Sequence, residues 1–267
     1  SQIYLDYPSV GATINILLAA TMAEGKTVIE NAAREPEIVD LANFLTVMGA
    51  EIKGVGTDVI KVNGVDELHG VEHSIIPDRI EAATYLIAGA VTRGNIELEN
   101  TNPYHLTAVL AKLEESGCKI DVNGGRIALE MEDSPKPVDI VTAVYPGIPT
   151  DIQAQWTAYM LTAEGNSRVT ESIYRDRFKH VPEMQRLGAK IEVVDNVAII
   201  EGGNALSGAV VMSSDLRASA SLVLSALAAK GTTEILRVYH IDRGYESIEE
   251  KLNSLGACVK RVKTDLI

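Results

Sequence analysis

The sequence predicts an α/β protein built from repeated β-α-β-α-β-β units. Two observations carry that prediction. Four segments are versions of one another, each with a small or acidic residue after a turn, an apolar run and a glycine: Ser9 to Gly25, Asp78 to Gly94, Asp151 to Gly165 and Asp215 to Gly231. Each is followed by an amphipathic run that a second glycine closes, at Gly49, Gly117, Gly188 and Gly256. The two glycines of a unit lie 24, 23, 23 and 25 residues apart, and successive closing glycines lie 68, 71 and 68 apart. A period this regular marks a repeat architecture, and residues that break it stand out from residues the fold needs.

The first unit opens with Ile3-Tyr-Leu as a strand. Ser9 follows Pro8 and precedes Ile14, Leu17 and Leu18, an N-cap before an apolar helical face, with Gly25 as the stop. Thr27-Val-Ile-Glu is a short strand. Ile38, Leu41, Ala42 and Leu45 recur at helical spacing, and Gly49 ends that helix. Ala50-Glu-Ile-Lys and Val59-Ile-Lys-Val close the unit as two strands. The second unit repeats this, with Leu106, Val109, Leu110 and Leu113 on its second helix, then Lys119-Ile-Asp-Val and Arg126-Ile-Ala-Leu. The third has Val181, Met184 and Leu187, then Lys190-Ile-Glu-Val and Val197-Ala-Ile-Ile.

The fourth unit has Tyr245, Ile248, Leu252 and Leu255 on its second helix and Cys258-Val-Lys-Arg-Val as its next strand. Its last strand is missing or frayed into Lys263-Thr-Asp-Leu-Ile. A sheet short of a strand leaves an open edge that proteins normally cover or pair. Another segment is therefore expected to supply it, and the uneven unit count suggests part of something longer.

At 267 residues and 46% hydrophobic, the chain has enough material for two ordinary cores. Its net charge of -13 argues against broad nucleic-acid or anionic-membrane binding, which need a basic face. It leaves room for a small anionic substrate held by a few inward arginines. Apolar stretches are interrupted well before the roughly 20 residues of a membrane span, and none reads as a signal peptide. The repeat aligns Cys118 with Ala50, Ala189 and Ala257, a small core position at a strand start, and Cys258 with Glu51, Lys119 and Lys190. No metal-ligand spacing or Cys-His pairing is present, and a reduced, cytoplasmic setting fits two such cysteines.

Function is expected where units differ without a packing reason. Ser9-Val10-Gly11 opens a helix with small residues, and free N–H groups there suit an anion. A plain serine cap is the simpler reading on these residues alone. Asp78, Asp151 and Asp215 also stand at helix starts, where each can be a simple cap. Asp151 lies in Tyr145-Pro-Gly-Ile-Pro-Thr-Asp, a stiff approach that suits a general base and equally an ordinary loop. Asp215-Leu-Arg217 is either a local ion pair or half of an anion clamp. Arg175, Arg177, Arg217, Arg237 and Arg243 cluster in the last two units, and a solvated surface arginine is the alternative for each. Capping or packing is the better reading of His180 and His240.

Several strings together resemble the UDP-N-acetylglucosamine enolpyruvyl transferases (1-carboxyvinyltransferases). They are Ser9-Val-Gly-Ala-Thr, Glu30-Asn-Ala-Ala-Arg-Glu-Pro-Glu-Ile-Val-Asp, Pro149-Thr-Asp-Ile-Gln-Ala-Gln, Arg177-Phe, Ser214-Asp-Leu-Arg-Ala-Ser and His240-Ile-Asp-Arg-Gly-Tyr-Glu. The match runs along essentially the whole chain. The sister enzyme 5-enolpyruvylshikimate-3-phosphate synthase shares the repeat but not these strings.

The resemblance implies an inside-out α/β barrel of six units, three per domain, with the site between domains. Residues 1–70 would be the last unit of the first domain and 71–267 the second domain, so roughly the N-terminal third would be absent, with a separate chain as one partner that could supply it. The implied reaction moves the enolpyruvyl group of phosphoenolpyruvate onto the 3-hydroxyl of UDP-N-acetylglucosamine, the first committed step of peptidoglycan precursor synthesis. No metal or organic cofactor is implied. Carried over by position, Asp151 would be the base. Ser9, Val10 and Gly11 would meet the diphosphate, Ile173 the nucleotide sugar through its backbone, and Arg177 would lie near the reacting groups. Asp215, Arg217 and Arg243 would line the phosphoenolpyruvate side. The family's loop cysteine, its early lysine-asparagine pair and its other N-terminal arginines have no counterpart here, and Asp176 stands where many relatives have asparagine. The chain alone is therefore expected not to turn over substrate; a non-catalytic sugar-nucleotide-binding module and a pure scaffold are the alternatives.

Overall fold

The computed structural model describes residues 1–262. Two compact units are present, one of Ser1–Pro77 with Ala143–Gly147, the other of Asp78–Thr142 with the chain from Ile148 onward.

The first compact unit is one complete repeat: β1 (Gln2–Tyr4), α1 (Val10–Ala20), β2 (Lys26–Glu30), α2 (Pro36–Val47), β3 (Glu51–Lys53) and β4 (Val59–Asn63). Its sheet has the order β1-β2-β4-β3, with β1 parallel to β2 and the other pairs antiparallel. Leu17 of α1, Ile38 of α2 and Ile29, Ile60 and Val62 of the sheet form its core. The spacing of these residues is what placed both helices: apolar positions three and four apart fall on one helical face. Ser9 caps α1, its hydroxyl accepting from the Ala12 N–H at 3.2 Å.

The second compact unit holds the other three repeats. The second repeat comprises α3 (Arg79–Val91), β5 (Asn95–Leu98), α4 (Thr107–Glu115), β6 (Lys119–Asn123) and β7 (Arg126–Glu130). The third comprises β8 (Ile140–Val141), α5 (Gln153–Met160), β9 (Asn166–Thr170), α6 (Val181–Arg186), β10 (Lys190–Val194) and β11 (Val197–Glu201). The fourth comprises β12 (Val210–Met212), α7 (Leu216–Ala228), β13 (Glu234–Leu236) and α8 (Ile248–Ser254). The third sheet, β8-β9-β11-β10, reproduces the order of the first, again with its first pair parallel.

Three expectations need correction. The second repeat has no leading strand: its sheet is β5-β7-β6. The preceding segment is occupied in the first compact unit, where the His69 N–H donates to Met48 O at 2.8 Å and His73 lies on Phe44 and within 3.0 Å of Asp40. Residues 258–262 are not a strand, and the fourth sheet is β12-β13. There the Asn253 amide satisfies both backbone groups of Val259, at 2.7 and 2.8 Å, and Arg261 folds onto Asp242 and Glu249. The frayed strand anticipated at 263–267 lies outside the described residues. Leu255 is 55% exposed, because α8 ends at Ser254 and Leu255 already belongs to the cap.

The opening helices of the last three repeats differ from their partners. Every residue of α5 is buried, as is every residue of α3 from Ala82 to Val91, and α3, α5 and α7 pack on one another. A helix buried on all sides presents no face to solvent, so its polar side chains, such as Gln155 of α5, turn to partners inside the protein. Alanine, glycine and serine let such helices approach closely, and the buried hydroxyls of Ser221 and Ser225 bond back to Ala218 O and Ser221 O at 2.8 and 2.9 Å. The second helices α4, α6 and α8 keep one exposed side, as their periodicity requires.

Candidate functional site

The segment before α5 is a turn over Thr150–Ile152, and its side chains do not cap the helix. Asp151 instead faces two arginines. Its Oδ1 lies 2.8 Å from Arg177 Nη2 and 3.2 Å from Arg217 Nε. Arg177 follows β9 in a loop, its guanidinium 6.0 Å from the Tyr174 ring centre. Arg217 sits in the first turn of α7 with its side chain only 16% exposed, and its charge lies close enough to act on the buried Tyr245 hydroxyl. That hydroxyl is within 2.8 Å of Thr84 Oγ1 on α3, and Gln155 Nε2 of α5 donates to it at 3.4 Å. One polar cluster thus ties the starts of α5 and α7 to α3 and to the segment before α8.

Burial opposes ionisation of Asp151, but the charges of Arg217 and Arg177 outweigh it and hold the carboxyl below the ordinary aspartate range. It is a carboxylate at neutral pH. Asp215 is a true helix cap: its Oδ1 accepts the N–H groups of Arg217 and Ala218 at 3.0 Å each. Burial likewise opposes its ionisation, and those backbone donors together with the Ser214 hydroxyl push its carboxyl down. The local ion-pair alternative for Asp215-Leu-Arg217 therefore does not describe it, since the carboxylate turns to the backbone while the guanidinium crosses to Asp151.

A model of the EPSP synthase (3-phosphoshikimate 1-carboxyvinyltransferase) family matches residues 1–252. The chain belongs to this family. It is 55% identical over 263 residues to a UDP-N-acetylglucosamine 1-carboxyvinyltransferase of Halothermothrix orenii, covering 98% of this chain and 63% of that protein. It is 53% identical to UDP-N-acetylglucosamine 1-carboxyvinyltransferase 2 of Staphylococcus saprophyticus, covering 98% of this chain and 62% of that protein. The chain thus spans under two thirds of the length of these curated relatives. Among solved structures, the enolpyruvyl transferase NikO from Streptomyces tendae superposes with a TM-score of 0.86 at 28% identity, covering 96% of this chain and 64% of that one. The EPSP synthase of Acinetobacter baumannii, at 21% identity and a TM-score of 0.70, shares the fold, covering 95% of this chain and 62% of that one. The α/β class read from the repeat is the class of these structures.

Within this family fold, the arginines named from sequence do not all converge. Arg177 and Arg217 meet at Asp151. Arg175 and Arg243 are exposed, Arg243 without an ion pair among the described residues, two positions before the buried Tyr245. Arg237 sits at a left-handed backbone position, φ 57°, opening the turn over Val238–Arg243. In the first compact unit, Ser9 is committed to its cap, and a cavity of about 210 Å³ beside it is lined by Pro8, Asn31, Arg34, Glu35, Asp58 and Tyr145. The space above Gly11 is open: an added Cβ would meet nothing within 4 Å. Ile173 is half-buried, its N–H donating to Glu171 at 2.8 Å. Cys118 is buried against Tyr159 and Ser116, and burial pushes its thiol up, which suits a packing role. Cys258 is exposed. No helix among the described residues is long and apolar enough to cross a membrane.

His180 is a packing residue, 2% exposed with its ring 6.3 Å from Phe178. Burial pushes its pKa down to about 4; Arg177 adds to this and Asp215 opposes it. Neutral in the fold, it protonates in the unfolded chain near pH 6.5. Its contribution is complete above pH 6.5 and drains away as pH falls toward 4, by up to about 3 kcal/mol. Urea unfolding at pH 7 and 4.5 should show wild type losing more stability than His180→Gln; parallel losses would remove His180 as the cause.

Proposed function

We propose that this chain carries the base and much of the substrate-holding surface of an enzyme that transfers the enolpyruvyl group of phosphoenolpyruvate to the 3-hydroxyl of UDP-N-acetylglucosamine. Such an enzyme acts in the cytoplasm on peptidoglycan precursors. The observation that carries this reading is Asp151, a carboxylate held ionised between two arginines, in a chain over half identical to relatives named for that reaction.

The chemistry makes three demands. The hydroxyl must lose a proton as its oxygen bonds to C2 of phosphoenolpyruvate. The C3 methylene must gain one. Cations must hold the dianionic substrate until phosphate leaves and C3 gives a proton back. Asp151 takes the hydroxyl proton. Arg177 lies beside it; Arg217, whose helix start the Asp215 carboxylate caps, and Arg243 serve the phosphoenolpyruvate side. Ser9, Val10 and Gly11 receive the diphosphate at a helix N-terminus, and Ile173 contacts the nucleotide sugar through its backbone. A carboxylate with a depressed pKa is a weak base in the resting site. An anionic substrate drawing on the same arginines relieves that depression and restores basicity when the hydroxyl is in place.

A second reading, a sugar-nucleotide-binding module without turnover, is favoured for the isolated 267 residues. They span 62–63% of the relatives' length, Cys118 is buried against Tyr159 and Ser116, and Cys258 is exposed beyond the end of α8. The isolated chain is expected to release no phosphate above background from the two substrates, while calorimetry detects heat with the sugar nucleotide. Turnover near that of an intact relative would overturn the inactivity. Absence of binding would leave only a scaffold.

A further inference from the structure

Glu171 directly follows β9 and is completely buried, 0% exposed. No arginine, lysine or histidine pairs with it among the described residues. Four donors surround it instead. Its Oε1 accepts the Thr142 hydroxyl at 2.7 Å and the N–H groups of Ile173 and Tyr174 at 2.8 and 2.9 Å. Its Oε2 accepts the Thr150 hydroxyl at 2.8 Å. A hydroxyl has a single proton, so Thr150 Oγ1 turns its lone pairs outward, and there Arg177 Nη1 donates to it at 2.9 Å. The other terminal nitrogen of that guanidinium reaches Asp151.

The repeat shows that this carboxylate is special to one unit. Six residues after the glycine that closes each unit's opening helical run stand Asn31, Asn100, Glu171 and Arg237, and of these Asn31, Asn100 and Arg237 take a left-handed backbone, at φ 55°, 55° and 57°. The strand pairings bring Glu171 to the same position: Tyr4 faces Glu30 as Val141 faces Thr170. Asparagine suits that turn by itself. Replacing it with a buried glutamate forfeits a good turn residue and costs desolvation, which four donors offset.

We propose that Glu171 is a positioning residue that sets the Thr150 hydroxyl as an acceptor and thereby holds Arg177 against Asp151. The same carboxylate fixes the Ile173 and Tyr174 backbone, so one group registers the base turn and the arginine loop together. The catalytic consequence rests on the enolpyruvyl-transfer reading; the positioning itself does not.

The Asp151 carboxyl, followed by carbon NMR through its titration in the 267-residue chain, tests this in Glu171→Gln. The groups acting on Asp151 are Arg177 and Arg217, with Tyr245 on Arg217 and neutral His180 and the Asp215 cap behind them. Two effects of the variant have opposite sign. Losing a nearby negative charge alone lowers the Asp151 pKa. Releasing Arg177 raises it, by about one pH unit. A rise is expected in Glu171→Gln and in Thr150→Val, and the double variant should rise no further than either. A fall or no change in Glu171→Gln overturns the proposal. If Glu171→Gln does not fold, Thr150→Val decides, because only the relay to Arg177 is cut. In the full enzyme, Glu171→Gln should lower kcat about tenfold with little change in KM for the sugar nucleotide. If wild-type full enzyme transfers no enolpyruvyl group, the functional reading fails while the titration still judges Glu171.

Discussion

Asp151→Ala is expected to lower kcat about 10³-fold in the full enzyme while sugar-nucleotide affinity stays within a few-fold of wild type. The hydroxyl of the acceptor sugar is a poor nucleophile until its proton has somewhere to go, and Asp151 is the carboxylate that the two arginines frame. Alanine removes the base and leaves both guanidiniums without their shared partner. The site then carries more net positive charge, so an anionic ligand is held at least as well. Loss of activity with retained binding separates this from a folding defect. The pH dependence has a fixed sign as well. The folded-state pKa of Asp151 lies below that of an unfolded aspartate, about 3.9. Its ion pairs therefore stabilise the fold fully above that value and are lost as pH falls through the lower folded value. Asp151→Ala should flatten that acid limb of stability, measured by urea midpoints between pH 5 and 3. Lost nucleotide binding together with unimpaired chemistry in the residual complexes would contradict the role.

Much of this geometry has a source that sequence displays and a source that it does not. The strands and amphipathic helices follow from local periodicity, so Ile38, Ala42 and Leu45 were readable as one buried face, and so was the cap at Ser9. The ion pairs of Asp151 join residues from three different segments, and nothing local marks them. Local reasoning coupled Asp215 to Arg217 because they are neighbours. In the fold the backbone N–H groups of α7 claim the Asp215 carboxylate and free the arginine to cross to Asp151. The missing leading strand of the second repeat has a similar cause. Residues before Asp78 have better partners in the first compact unit, and a pattern cannot show which of two sheets a segment will serve. Glu171 is the instructive case. A comparison of Asn31, Asn100, Glu171 and Arg237 within one sequence marks it as the one acidic residue at that position of the repeat. Only the structure shows that its carboxylate is buried and what it holds.

Trp156→Ala is expected to destabilise the second compact unit by about 3–5 kcal/mol. Trp156 is 0% exposed in the middle of α5. Its indole N–H donates to Val138 O at 3.2 Å, and its ring meets Tyr159 edge-on at 5.4 Å between centroids. Truncation opens a large cavity beside rigid neighbours, since α5 is buried on every side and packs on α3 and α7, and it orphans a buried carbonyl as well. Trp156→Phe keeps most of the volume and loses the donor, so its cost should fall well short of the alanine variant. Trp156 is the only tryptophan, so its fluorescence reports this unit in wild type and circular dichroism must follow the alanine variant. A loss below about 1 kcal/mol would show that the helices close over the gap and that the core is less rigid than its burial implies. The site depends on the answer. Asp151 stands in the turn that leads directly into α5, and Arg217 in the first turn of α7, the helix against which α5 packs. A shift of α5 along α7 would change the Asp151–Arg217 separation before any residue of the cluster was altered. Trp156→Phe should therefore keep the depressed Asp151 titration, and an alanine variant that still folds should raise it.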